Sequence, residues 1–200
     1  MSRTTHRARS WRALAALLAV AALLWASACS NLEGAGEKGY VSGNGQITEL
    51  PPDARKAPVE LTGTDLDGEA LSLADYRGKV VAINVWGNWC SECHEEAEDI
   101  VEAANRADPD QVAFLGINTR DPSRETAQSF VRRYELPFPS FFDGSTGSSL
   151  LAFHGSLTPY ATPSTVVLDR QGRVAAVILG EIPSAAVLTT VIEQVVNEDG

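Results

Sequence analysis

From Val59 onward the apolar positions alternate between the two spacings that distinguish strands from helices. Lys79 to Trp86 (KVVAINVW) is a nearly continuous apolar run, which predicts a strand buried on both faces. Val112 to Ile117 predicts a second such strand. Val59–Thr62 and Glu69–Ser72 flank the turn signal Asp67-Gly68 and read as a hairpin. Ser164–Leu168 and Arg173–Leu179, joined through Asp169-Arg-Gln-Gly172, read as another. Between them a helix is expected from Cys90 to about Ala107, stopped before Pro109. A second helix is expected from Ser123 to Tyr134, entered through Asp121-Pro122, and a short one within residues 145–154. Pro183 opens a last helix through Val196. There is no internal repeat. The order β-β-β-α-β-α-(α)-β-β-α predicts an α/β sandwich around a mixed sheet, spanning residues 58–200.

The first 58 residues follow neither spacing. A basic stretch to Arg12 precedes an apolar run from Ala13 to Ala28, which is shorter than the roughly 20 residues that span a bilayer. That is the layout of an export signal over residues 1–28. Ala26-Ser27-Ala28 before Cys29 satisfies the small-x-small rule of ordinary signal peptidase. The same stretch also looks like a bacterial lipobox with Ala26 in the usual Leu position, in which case Cys29 carries lipid. An uncleaved anchor is the third reading. Residues 29–57, with five glycines between Gly34 and Gly45 and then Pro51 and Pro52, read as a flexible tether.

Charge narrows the partners. The formal net charge is −10, from 16 basic and 26 acidic residues. Without Arg3, Arg7, Arg9 and Arg12 of the signal, the remainder carries 12 basic and 26 acidic residues, or −14. So acidic a body repels nucleic-acid phosphates and anionic lipid headgroups, and its plain role is solubility.

Three cysteines are present, and two form Trp86-Gly-Asn-Trp89-Cys90-Ser-Glu-Cys93. The motif follows a buried strand and opens a helix. Free amides and the helix dipole at that place stabilise a thiolate, the nucleophile of disulfide exchange. The pattern predicts an exposed, attacking Cys90 and a resolving Cys93 one turn further in. Cys29 is left unpaired, and in an oxidising compartment lipidation would remove that thiol.

Val80–Glu96 (VVAINVWGNWCSECHEE) resembles the thioredoxin superfamily, and within it the TlpA/ResA-like branch of membrane-tethered envelope thioredoxins. The resemblance covers roughly residues 58–197 and implies a thioredoxin-like sandwich with an N-terminal β-hairpin and a central helical insertion around residues 119–155. It implies that Thr162-Pro163 forms a cis-proline loop facing the cysteines. It also implies that Asn84 replaces the buried acid of simple thioredoxins, that Glu96 is a carboxylate near the pair, and that Trp89 shields the disulfide. The competing reading of Glu96 is a solvated face shared with Glu95, Glu98, Asp99 and Glu102.

The activity implied is dithiol–disulfide exchange outside the cytoplasm, with no cofactor beyond the Cys90–Cys93 disulfide and no metal. The partners implied are protein thiols and disulfides, with apocytochrome c among the substrates, and a membrane thiol-transfer protein as electron donor. A monomer held to the membrane by a lipid anchor is expected. Other readings stay open: an oxidant for secreted proteins, a peroxiredoxin-like peroxidase, a non-enzymatic adaptor, or a c-type haem protein through Cys90-Ser-Glu-Cys93-His94. Met1 is the only methionine and His154 the only other mature histidine, which leaves a haem poorly served with axial ligands. A zinc set of Cys90, Cys93, His94 and His154 lacks a second paired motif.

Overall fold

The computed structural model describes residues 46–198. The expected export signal, Cys29 and the expected tether up to residue 45 lie outside the described residues.

Eight strands and three α-helices follow in chain order: β1 (Gln46–Glu49), β2 (Thr62–Thr64), β3 (Ala70–Ser72), β4 (Val80–Trp86), α1 (Ser91–Arg106), β5 (Val112–Asn118), α2 (Arg124–Tyr134), β6 (Ser140–Phe142), β7 (Ser164–Leu168), β8 (Val174–Leu179) and α3 (Ala185–Asn197). The main sheet is ordered β1-β8-β7-β4-β5-β6, and β2 pairs with β3 as a separate hairpin. β4, β5 and β6 run parallel, while β7, β8 and β1 pair antiparallel. The sheet is mixed and flanked by helices, as the alternating pattern predicts. The expected short helix in 145–154 is a 3-10 segment, Ser148–Phe153.

Central β4 shows why its sequence reads as one apolar run. Every residue from Val80 to Trp86 is buried, because the sheet is covered on both sides. Val80 and Ala82 face one core with Ile100 and Ala103 of α1 and Leu188 and Ile192 of α3. Val81, Ile83 and Val85 point the other way, toward Leu73, Phe141, Leu150 and Phe153. The period of two puts Asn84 on the helix-facing side, so a polar residue enters the core at the level of α1. The last helix starts two residues after Pro183, where the Ser184 side chain accepts from the Val187 N–H as N-cap.

The domain boundary is corrected. Residues 46–57 are not tether: β1 extends the sheet edge on β8, and Ile47 is buried in the core. Arg55 follows, with its side chain 2% exposed, and pairs with the equally buried Asp169 at 3.1 Å and with Glu198 at 2.6 Å. Asp169 also binds Arg173 at 2.8 Å. Four residues between a glycine-rich run and two prolines carry too little alternation to read as a strand, and only the partner strand defines it. The other missed strand, β6, is three residues long.

A chain starting at Val59 is therefore expected to be less stable than one starting at Gln46 by about 3 kcal/mol or more. It leaves the Ile47 site empty and strips one of two cations from buried Asp169. Urea unfolding of the two chains checks this, and equal midpoints would return residues 46–57 to the tether.

Candidate active site

Trp86 ends β4 with its ring stacked on Phe130 of α2, centroids 4.6 Å apart. Gly87, Asn88 and Trp89 then turn the chain, and Cys90 caps α1. The Asn88 N–H donates to Asp121 Oδ2 at 3.0 Å, and His94 Nε2 lies 2.9 Å from the Asn88 carbonyl. His94 Nδ1 in turn meets the Tyr134 hydroxyl at 2.9 Å. The carbonyl can only accept, so the neutral ring carries its proton on Nε2 and takes the tyrosine O–H on Nδ1. His94 thus ties the turn to α2. Gly87 leaves room for Trp89: a Cβ there would lie 2.3 Å from the indole Nε1 and 2.9 Å from the Thr119 carbonyl that accepts its N–H.

Cys90 and Cys93 form a disulfide with Cα atoms 5.2 Å apart. Cys90 Sγ also accepts the Cys93 N–H at 3.1 Å, so the sulfur occupies the N-cap position of α1. The sequence expectation of an exposed Cys90 is corrected: Cys90 is 2% exposed and Cys93 1%. Both cysteines belong to a buried cluster with Trp86, Ala97 and Phe130. What separates the two is position on the helix, since only Cys90 sits where free amides and dipole converge. Trp89, 48% exposed, marks this end of the domain at the surface.

Glu96 lies three residues beyond Cys93 on the same helix face and is 3% exposed. Its Oε1 accepts from Asn84 Nδ2 at 2.8 Å and its Oε2 from the Ile182 N–H at 2.8 Å. Asn84 Nδ2 reaches Thr165 Oγ1 as well, at 3.3 Å. Burial raises the Glu96 carboxyl from 4.5 to about 7, against the lowering pull of its two hydrogen bonds. The solvated-face reading does not hold for Glu96, although Glu95 and Glu98 are exposed. Glu92 is exposed too, its Oε2 4.0 Å from Cys90 Sγ.

The Thr162–Pro163 bond is cis. Pro163 leads into β7, where Ser164 pairs with Val85, so the loop lies alongside the end of β4 that feeds the cysteine motif. A cavity of about 300 Å³ opens there, lined by Tyr160, Thr162, Pro163 and Leu179 among others. Sequence reasoning missed Asp121, Arg120 and Tyr134. Only Asp121 left a signal, as part of the Asp-Pro helix entry, and nothing in the pattern distinguishes Arg120. Among the described residues no group of three or more His, Cys, Asp or Glu is placed to hold a metal ion, so the four-residue zinc set is not assembled. No helix among them is long and apolar enough to cross a membrane.

The family model described as the AhpC/TSA family matches residues 54–177. The thiol-disulfide oxidoreductase ResA of Bacillus cereus is 30% identical over 118 residues, 59% of this chain and 65% of that protein. A DsbF homologue from Corynebacterium diphtheriae superposes with a TM-score of 0.67 at 32% identity, covering 80% of this chain and 95% of that one. A secreted thiol-disulfide isomerase from Corynebacterium glutamicum superposes with a TM-score of 0.69 at 29% identity, covering 82% and 95%. With its cysteine pair joined at the start of α1 and a thioredoxin-like fold, the chain belongs to the AhpC/TSA family, and it spans 65% of the length of the Bacillus cereus ResA it resembles.

Proposed function

We propose that this chain reduces disulfides in proteins outside the cytoplasm, held near the membrane by lipid on Cys29 and the glycine-rich segment before β1. The observation that carries the reading is the Cys90–Cys93 disulfide at the N-cap of α1, with a buried carboxyl one turn beyond it. In the reduced protein the Cys90 thiolate attacks a substrate disulfide, and one substrate sulfur leaves as a thiolate. The Cys93 thiolate then attacks Cys90 Sγ, closing the internal disulfide and releasing the second substrate sulfur. Two electrons pass to the substrate, and the pair must be reduced again by a membrane thiol-transfer protein. Glu96 is suited to take the Cys93 proton, because its raised pKa lies closer to that of a thiol than an ordinary carboxyl's does.

Local charge supports this direction against the opposite pull of the helix dipole on Cys90. Carboxylates at Glu92 and Glu96 oppose thiolate formation and so weaken the reduced state relative to the disulfide. That favours a donor of electrons. The extra helical insertion and Trp89 beside Cys90 suit a protein substrate such as an apocytochrome c, whose cysteines must be free before haem is attached. The test of direction is the reduction potential of the couple, measured by equilibrating the protein in thiol buffers and counting alkylated cysteines. A value below about −230 mV is expected, and one near −120 mV would make the protein an oxidant.

A further inference from the structure

We propose that Arg120 selects the substrate, recognising a carboxylate side chain close to the cysteine under attack. The inference rests on the thiol-exchange reading and adds to it a specificity-determining residue.

Arg120 leaves β5 in the left-handed region, with φ of 60°. A non-glycine residue pays for that conformation unless something fixes it there, and such positions concentrate at functional sites. Two contacts fix it: its N–H bonds to the Gly144 carbonyl, and its guanidinium lies over the Trp89 ring, 4.0 Å from the centroid. The Trp89 ring is itself tied down, its Nε1–H donating to Thr119 at 2.9 Å. The guanidinium also lies 6.0 Å from the Tyr160 ring centroid. Trp89 adjoins Cys90, and Tyr160 stands two residues before the cis Thr162–Pro163 bond, so Arg120 lies near both segments.

This cation lacks an anion. Among the described residues no carboxylate pairs with Arg120, and its Nε is buried without a hydrogen-bond partner. The neighbouring carboxylate, Asp121, binds Asn118 Nδ2 and the Asn88 N–H through Oδ2, and its Oδ1 is buried with no partner, so it does not pair with Arg120. Among the described residues Arg124, Arg132 and Arg133 likewise show no ion pair, but Arg120 is set apart by its two exposed aromatic neighbours, Trp89 and Tyr160. Flat rings hold the guanidinium in place without neutralising it, which leaves its charge for a carboxylate acceptor. A glutamate or aspartate of the substrate protein fits that geometry.

The test uses the reduced full-length protein and two cystine-bridged peptides that differ only in bearing Glu or Gln at every position within two residues of the cysteine. The Glu-to-Gln ratio of kcat/KM, taken within each variant, is indifferent to general changes in thiol reactivity. The wild type should favour the Glu peptide by about fivefold at low salt, the upper range for an ion pair open to solvent, and the preference should shrink at high salt. Arg120→Gln should bring the ratio to one, and Arg120→Lys should keep part of it. A wild-type ratio of one, or a preference that survives Arg120→Gln, overturns the assignment. Failure of the wild type to reduce either peptide overturns the thiol-exchange reading itself.

Discussion

Cys90→Ala is expected to lose disulfide exchange by a thousandfold or more, on the order of what removal of a covalent nucleophile costs. Cys93→Ala is expected instead to accumulate a mixed disulfide through Cys90. The two cysteines are equally buried in the oxidised protein, so accessibility does not rank them. The ranking comes from the N-cap: Cys90 Sγ receives the Cys93 N–H, and the thiolate that forms there keeps that bond and gains the helix dipole. Cys93 lies inside the first turn, on the buried stripe with Ala97 and Ile100. Once it is removed, no second cysteine among the described residues remains to displace the bound substrate. Non-reducing electrophoresis with a protein substrate reads the result. Trapping through Cys93 in the Cys90→Ala variant, at the level of the reverse pair, would exchange the two roles.

Glu96→Gln is expected to alter both the stability and the reactivity of the protein with pH. The carboxyl's pKa is higher in the folded state, so between about 4.5 and 7 the folded protein holds more protons than the unfolded chain. The group's contribution to stability is therefore complete below pH 4.5 and is lost as pH rises through about 7. A change of that size corresponds to on the order of 3 kcal/mol. Gln cannot ionise, so the stability of the variant relative to the wild type should rise by roughly 2–3 kcal/mol between pH 5 and pH 8. Urea unfolding of the oxidised proteins at the two pH values measures it. In the reduced proteins, the alkylation rate should lose an inflection near pH 7 in the variant. Parallel stability curves would mean that Glu96 titrates as an ordinary carboxyl, and an unchanged alkylation profile would uncouple it from the cysteines.

The parts legible in the sequence were those fixed by local pattern. β4, β5, β7 and β8 are buried runs of five to seven residues, and each stood out. The turn chemistry at Asp67-Gly68 and Asp169–Gly172 marked both hairpins. The cysteine pair declared its own chemistry, and resemblance pointed to Asn84 and Glu96, which share a hydrogen bond, and to the cis Thr162–Pro163 bond. What stayed hidden depends on contacts distant in sequence. β1 exists because β8 offers an edge, and Arg55 is ordered because Asp169 lies 114 residues away. Its place at a helix start predicts an exposed Cys90, yet Cys90 is buried in a cluster with Trp86 and Phe130, which no local pattern reveals. Arg120 shows its role only once the Trp89 ring is seen beneath it.

The most direct test of the whole account is to mix the reduced wild-type protein with a protein disulfide and count thiols on both partners by alkylation and mass spectrometry. The account predicts that one substrate disulfide opens for each Cys90–Cys93 disulfide formed, and that Cys90→Ala stops the transfer. A folded protein with both thiols free that leaves the substrate disulfide intact would contradict it.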